Sequence, residues 1–149
     1  DLAKRFQAIF FLATPHRGSD SAKLLNNILQ ATYSSRAYLA DLQRSSVAIQ
    51  TINDDFRHCS AEIELWSFYE TQKLSFGGPI SRLIVSPDSA TLGYREEKQM
   101  PVNADHRSIC KFDTEKDQNY IIIRNSLAST VDRLSKIGMT NHEAHCLLR

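Results

Sequence analysis

The chain has 149 residues, 42% of them hydrophobic and 23% charged, which is the length and composition of one ordinary globular domain. Eighteen Lys and Arg against seventeen Asp and Glu leave a net charge of +1, so there is no electrostatic footprint for nucleic acid or an anionic membrane. The longest apolar run, residues 8–13, is far short of the roughly 20 residues that cross a bilayer, and no transmembrane segment is expected. Three cysteines (Cys59, Cys110 and Cys146) are too few and too scattered for a disulfide framework, and no CxxC pair exists for zinc. An intracellular, cytoplasmic setting is the expectation. Residue 1 is Asp and no signal peptide follows it, so the sequence reads as an excerpt.

The first element is Gln7-Ala-Ile-Phe-Phe-Leu-Ala13, an unalternating apolar run stopped by Thr14-Pro15. Such a run reads as a strand buried on both faces, the mark of a parallel sheet. Ser19 or Asp20 can cap a following helix that carries Leu24, Leu25, Ile28 and Leu29 on one face. A second helical stretch over about residues 37–57 places Leu39, Leu42, Ile49, Ile52 and Phe56 on one side. Residues 63–69 read as a second strand, with Trp66 and Tyr69 as sheet residues, and residues 82–86 as a third, bounded by Pro87. Residues 94–100 are charged and loop-like, and Glu96-Glu97-Lys98 reads as a solvated loop. Asp105 is expected to cap a short helix reaching Phe112. A last helix is expected from about Asp117 to Lys136, with Tyr120, Ile123, Leu127, Val131 and Leu134 at helical spacing and Gly138 ending it. Strands separated by helical stretches imply right-handed crossovers and a parallel α/β sheet.

In open parallel sheets, ligands and catalytic groups gather beyond the C-terminal strand ends. Those ends carry Thr14-Pro15-His16-Arg17-Gly18-Ser19, then Glu70, then the loop reaching Asp105-His106. A carboxylate after one strand and a histidine after the next can orient an imidazole as a general base. Elsewhere the residues read as structural. His142, His145 and Cys146 lack a partner cluster, so no metal site is assigned, and no cofactor is expected. Cys110 reads as a packing residue.

Four blocks carry more information together than any spacing does. They are Phe10-Phe-Leu-Ala-Thr-Pro-His-Arg-Gly-Ser19, Ser67-Phe-Tyr-Glu-Thr71, Leu83-Ile-Val-Ser86 with Ser89-Ala90, and Ala104-Asp-His-Arg-Ser-Ile-Cys-Lys-Phe112. In this order the chain resembles a lipase-like α/β-hydrolase domain of the serine-active-site family, of the type found N-terminal to NACHT ATPase modules in fungal NOD-like receptor proteins. The resemblance implies the C-terminal half of a hydrolase sheet over residues 1–137 and a linker over 138–149 toward a downstream NACHT-type module. It implies that His106 is the catalytic histidine and Glu70 the triad acid, with Asp88 and Asp105 as rivals. It also implies that Thr14, Pro15, His16, Arg17, Gly18 and Ser19 line the pocket for an ester or lipid substrate.

One departure decides the expected activity. A hydrolase of this kind needs a Gly-x-Ser-x-Gly elbow that exposes its nucleophile on a tight strand-to-helix turn. The five glycines, Gly18, Gly77, Gly78, Gly93 and Gly138, flank no serine in that way. Without nucleophile and oxyanion donors the chain alone is expected to be inactive, its partner being an upstream half of the domain. The other reading is a non-catalytic signalling or scaffold module that keeps the hydrolase fold. Either way, an apolar first strand with one empty edge is expected to make the isolated chain self-associate.

Overall fold

The computed structural model describes residues 6–17, 46–76 and 81–146, with 46–50, 53 and 138–146 described by backbone alone. The chain divides into two units, Asp1–Lys111 and Phe112–Arg149. The first unit contains β1 (Ala8–Leu12), α1 (Ser46–Cys59), β2 (Glu64–Glu70), β3 (Leu74–Ser75), β4 (Ser81–Arg82), α2 (Pro87–Ala90) and β5 (Lys98–Val102). The second contains α3 (Gln118–Cys146). The helix expected after Ser19 and the first part of the stretch 37–57, including Leu39 and Leu42, lie outside the described residues.

β1, β2 and β5 form a three-stranded parallel sheet in that spatial order, which is the α/β class read from the sequence. The register sets Phe10 beside Trp66, Phe68 beside Met100 and Glu70 beside Val102. Alternation then puts Phe10, Trp66 and Phe68 on one face. Their rings stack with centroids 5.8, 5.9 and 6.2 Å apart. On the other face Phe11 meets Phe56 of α1 edge-on at 6.3 Å, and Phe56 stacks on Tyr94 at 6.5 Å. Phe68, Ser67 and Glu70 of the central strand are fully buried, whereas every residue of β1 is half-buried.

The third strand is not where the apolar run put it. Residues 83–86 stay out of the sheet, and the strand beside β2 is Lys98–Val102, which begins inside the segment 94–100 read as loop. The reason lies in what each segment's backbone bonds. The amides of Ile84 and Val85 go to the Glu70 carboxylate instead of a ladder, and their side chains are buried in a cluster with Leu74 and Ala90. Only Ser81–Arg82 pairs, antiparallel with Leu74–Ser75. Among the described residues β5 pairs on one side only, with β2, and such an edge position tolerates Lys98, Gln99 and Pro101.

Beyond β5 the chain makes turns over 106–110, not a helix to Phe112. Asp117 starts α3 as expected, accepting the Asn119 amide through Oδ1 at 2.8 Å. Gly138 does not end this helix, which runs on to Cys146. Its buried residues are Ile123, Ser126 and Thr130, while Leu127 and Val131 of the expected apolar face are exposed. No helix among the described residues is long and apolar enough to cross a membrane.

Candidate active site

Glu70 is the last residue of β2, and His106 follows the neighbouring strand β5 by four positions. Parallel strands end on one rim, so the topology alone brings the two loops together. The amides of Thr71 and Gln72 both donate to Ala104 O, at 3.2 and 3.0 Å, and lace the two loops side by side. The structure places His106 Nδ1 3.1 Å from Glu70 Oε2. Glu70 is wholly shielded, while the His106 side chain is 17% exposed.

The buried carboxylate is satisfied on both oxygens. Oε1 accepts the amides of Ile84 and Val85 at 2.5 and 2.9 Å, which leaves Oε2 for the imidazole. Hydrogen bonds to backbone amides are what allow an acidic group to sit at zero exposure. With Nδ1 engaged by the carboxylate, Nε2 is the nitrogen left for proton transfer. The sequence had offered no sign that residues 84 and 85 hold Glu70, because their apolar character points to core alone.

Neither rival acid meets the histidine. Asp88 is exposed on α2, and no hydrogen bond joins it to His106 among the described residues. Asp105 turns its carboxylate back into its own loop, where it accepts the amides of Arg107 and Ser108 and the Ser108 hydroxyl. Burial opposes its charge, but the Ser108 hydroxyl and amide, the Arg107 amide and the Arg107 charge outweigh that and hold its carboxyl below the usual value.

The loop after β1 stands on the same rim, described as far as Arg17; Gly18 and Ser19 lie outside the described residues. Ala13 opens it in the left-handed region at φ 46°, buried, with its amide on Phe68 O. The amides of His16 and Arg17 both donate to Ser89 O, and the Ser89 hydroxyl donates back to Arg17 O. Arg17 Nε donates to Thr91 O at 2.8 Å. The His16 ring is buried edge-on against Phe11 at 4.5 Å. Desolvation lowers its pKa, with Glu97 opposing and Arg17 assisting, so burial favours the neutral ring. His16 and Arg17 thus tie this loop to α2, and Thr14 and Pro15 follow the strand end beside them. A cavity of about 330 Å³ lies elsewhere, between Ile63 and Leu65 at the start of β2 and Tyr94 and Glu97 ahead of β5.

Glu97 is a second carboxylate that the sequence reading missed. Instead of lying in a solvated loop, it accepts the hydroxyl of fully buried Ser67 at 2.5 Å and the amides of Leu92 and Gly93, both at 2.8 Å. Desolvation opposes its charge, but the bonds from Ser67, Leu92, Gly93 and Gln99 prevail and lower its pKa. Lys98, also in that run, donates to Glu64 and lies 4.6 Å over the Trp66 ring. Cys110, expected to pack inside, is exposed, as is Cys59. The side chains of His142, His145 and Cys146 lie outside the described residues. Among the described residues no group of three or more His, Cys, Asp or Glu is placed to hold a metal ion.

Comparison with models of known protein families, with curated proteins and with solved structures found no match.

Proposed function

We propose that this chain supplies the acid and base of a serine esterase or lipase-like α/β-hydrolase domain whose nucleophile elbow lies in an upstream segment of the parent polypeptide. The domain is read as the N-terminal module of a fungal intracellular receptor, ahead of a NACHT-type module. The observation that carries the chemistry is the 3.1 Å contact between Glu70 Oε2 and His106 Nδ1 on the C-terminal rim of a parallel sheet. The sequence blocks around Thr14, Glu70, Val85 and His106 supply the family assignment.

In this reading Glu70 fixes the tautomer with the proton on Nδ1, so Nε2 accepts the proton of a serine hydroxyl as its oxygen attacks an ester carbonyl. The imidazolium formed is stabilised by the carboxylate and returns its proton to the departing alkoxide. Water then repeats the cycle on the acyl-enzyme, with His106 again the base. Thr14, Pro15, His16 and Arg17 wall the acyl pocket beside the strand ends.

The test compares the isolated chain with the full-length parent protein, using a short p-nitrophenyl ester and a fluorophosphonate probe. The parent is expected to hydrolyse the ester and take the label, both lost in His106→Ala, while the isolated chain does neither. A parent protein with no labelled serine and no turnover would favour the scaffold reading. Labelling of a serine within this chain would show that the nucleophile was wrongly placed upstream.

A further inference from the structure

We infer that Asp105 and Ser108 form a reciprocal clamp that positions His106 against Glu70, the role of Asp105 being to hold the base and not to pair with it. Its value to catalysis rests on the hydrolase reading above; its geometry does not. β5 ends at Val102, and the last tie between the sheet and the His106 loop is the pair of amides from Thr71 and Gln72 on Ala104 O. Two residues later a side chain must present Nδ1 to a carboxylate that is itself immobile. Unless the intervening backbone is fixed, that contact is lost by a small rotation.

The clamp fixes it. The Asp105 amide donates to Ser108 Oγ at 3.1 Å, and the Ser108 amide donates to Asp105 Oδ1 at 2.9 Å. The Ser108 hydroxyl closes the ring by donating to the same Oδ1 at 2.7 Å. This is the logic of a helix capping box, with each side chain satisfying the other residue's amide, added to a turn whose backbone already closes through the Ser108 amide on Asp105 O at 3.1 Å. Arg107 N adds a third donor to Oδ1 at 3.0 Å, and Ile109 N reaches Asp105 O at 3.0 Å. Ile109 is buried, so the far end of the turn is anchored in the core. His106 lies inside this ring of bonds, one residue beyond its first member, and its backbone takes the path the ring allows. A displacement of about 1 Å in a reacting group can cost about 100-fold in rate, so a rigid turn here is a requirement of the chemistry.

The clamp is tested in the full-length protein with ¹⁵N-labelled histidine, reading the His106 Nδ1–H proton, assigned by its loss in His106→Gln. The expected result is a low-field, slowly exchanging resonance that disappears in Glu70→Ala, in Asp105→Ala and in Ser108→Ala. Asp105→Asn is expected to keep it, since asparagine caps about as well as aspartate. In ester hydrolysis both alanine clamp variants should lose about 10- to 100-fold in kcat with KM little changed. Survival of the resonance in either alanine variant while folded overturns the proposal, as does its loss in folded Asp105→Asn. The resonance is read without substrate. A parent protein that hydrolyses no ester would therefore sink the hydrolase reading and leave the clamp standing.

Discussion

Glu70 and His106 meet at 3.1 Å through one carboxylate oxygen, while the other oxygen of Glu70 holds the amides of Ile84 and Val85. One fully buried side chain thus joins the end of β2 to two loops at once. The arrangement makes Glu70 a structural residue independent of any catalysis. Glu70→Ala would strand two buried amides and open a void, an expected loss of roughly 3–5 kcal/mol. Glu70→Gln keeps an acceptor for those amides and should cost less, about 1–2 kcal/mol. Urea titrations of the two variants measure the difference; equal losses would mean that the amide bonds contribute nothing.

His16, Glu97 and Asp105 should each shape the acid limb of stability, and the contributions of the first two can be separated. His16 is held below its ordinary value of 6.5 and Glu97 below 4.5. A group with a depressed folded pKa contributes fully above its unfolded pKa and loses that contribution as pH falls through the folded one. Stability is therefore expected to fall first below about pH 6.5, as burial of a neutral His16 is opposed by protonation, and again below about pH 4.5, as Glu97 releases Ser67, Leu92 and Gly93. His16→Gln should flatten the first part and Glu97→Gln the second in denaturation midpoints measured from pH 8 to 3. A limb unchanged by both substitutions would assign it to other groups.

Gly93 should not accept a side chain. It sits at φ 73°, and a Cβ built there would stand 2.5 Å from Nη2 of Arg17. That guanidinium cannot simply swing away, because Nε is bonded to Thr91 O at 2.8 Å and Nη2 to Thr91 Oγ1 at 3.2 Å. Gly93→Ala is expected to cost about 1–3 kcal/mol, from left-handed backbone strain and the lost Arg17 bonds. Arg17→Ala in the same background should recover part of it, so a double-mutant cycle checks the coupling.

The two edges of the sheet differ. β5 carries Lys98 and Pro101, residues that discourage pairing with another chain. β1 is the unbroken run Ala-Ile-Phe-Phe-Leu and, among the described residues, pairs on one side only, with β2. The isolated chain is therefore expected to associate with rising concentration in sedimentation velocity. A single monomeric species over a wide concentration range would show that β1 has its second partner within the chain.

Some of this was legible from residue order alone. The apolar run before Thr14-Pro15 and the aromatic run before Thr71 became β1 and β2, because aromatic and β-branched residues suit a pleated, partly covered surface. Glu70 could be named from its place at the end of the second strand, but His106 was placed beyond a strand at 82–86 that the sheet does not contain, and it reaches the shared rim by following β5 instead. The start of α3 near Asp117 followed from the helical spacing that begins at Tyr120, while the cap that Asp117 supplies to the Asn119 amide went unread.

What the sequence could not carry was the allocation of backbone partners across distance. β5 has no apolar signature, because an edge strand is held by its ladder to β2 and not by its side chains. Leu83-Ile-Val85 has one but forms no strand in the sheet, because Glu70 claimed its amides first. Glu97 looked like surface charge until folding placed Ser67, thirty residues away, against it. A side chain's hydrophobicity is a property of the residue and can be read in order along the chain. The hydrogen-bond partner of a buried amide or carboxylate is a property of the packed structure, and only tertiary structure decides it.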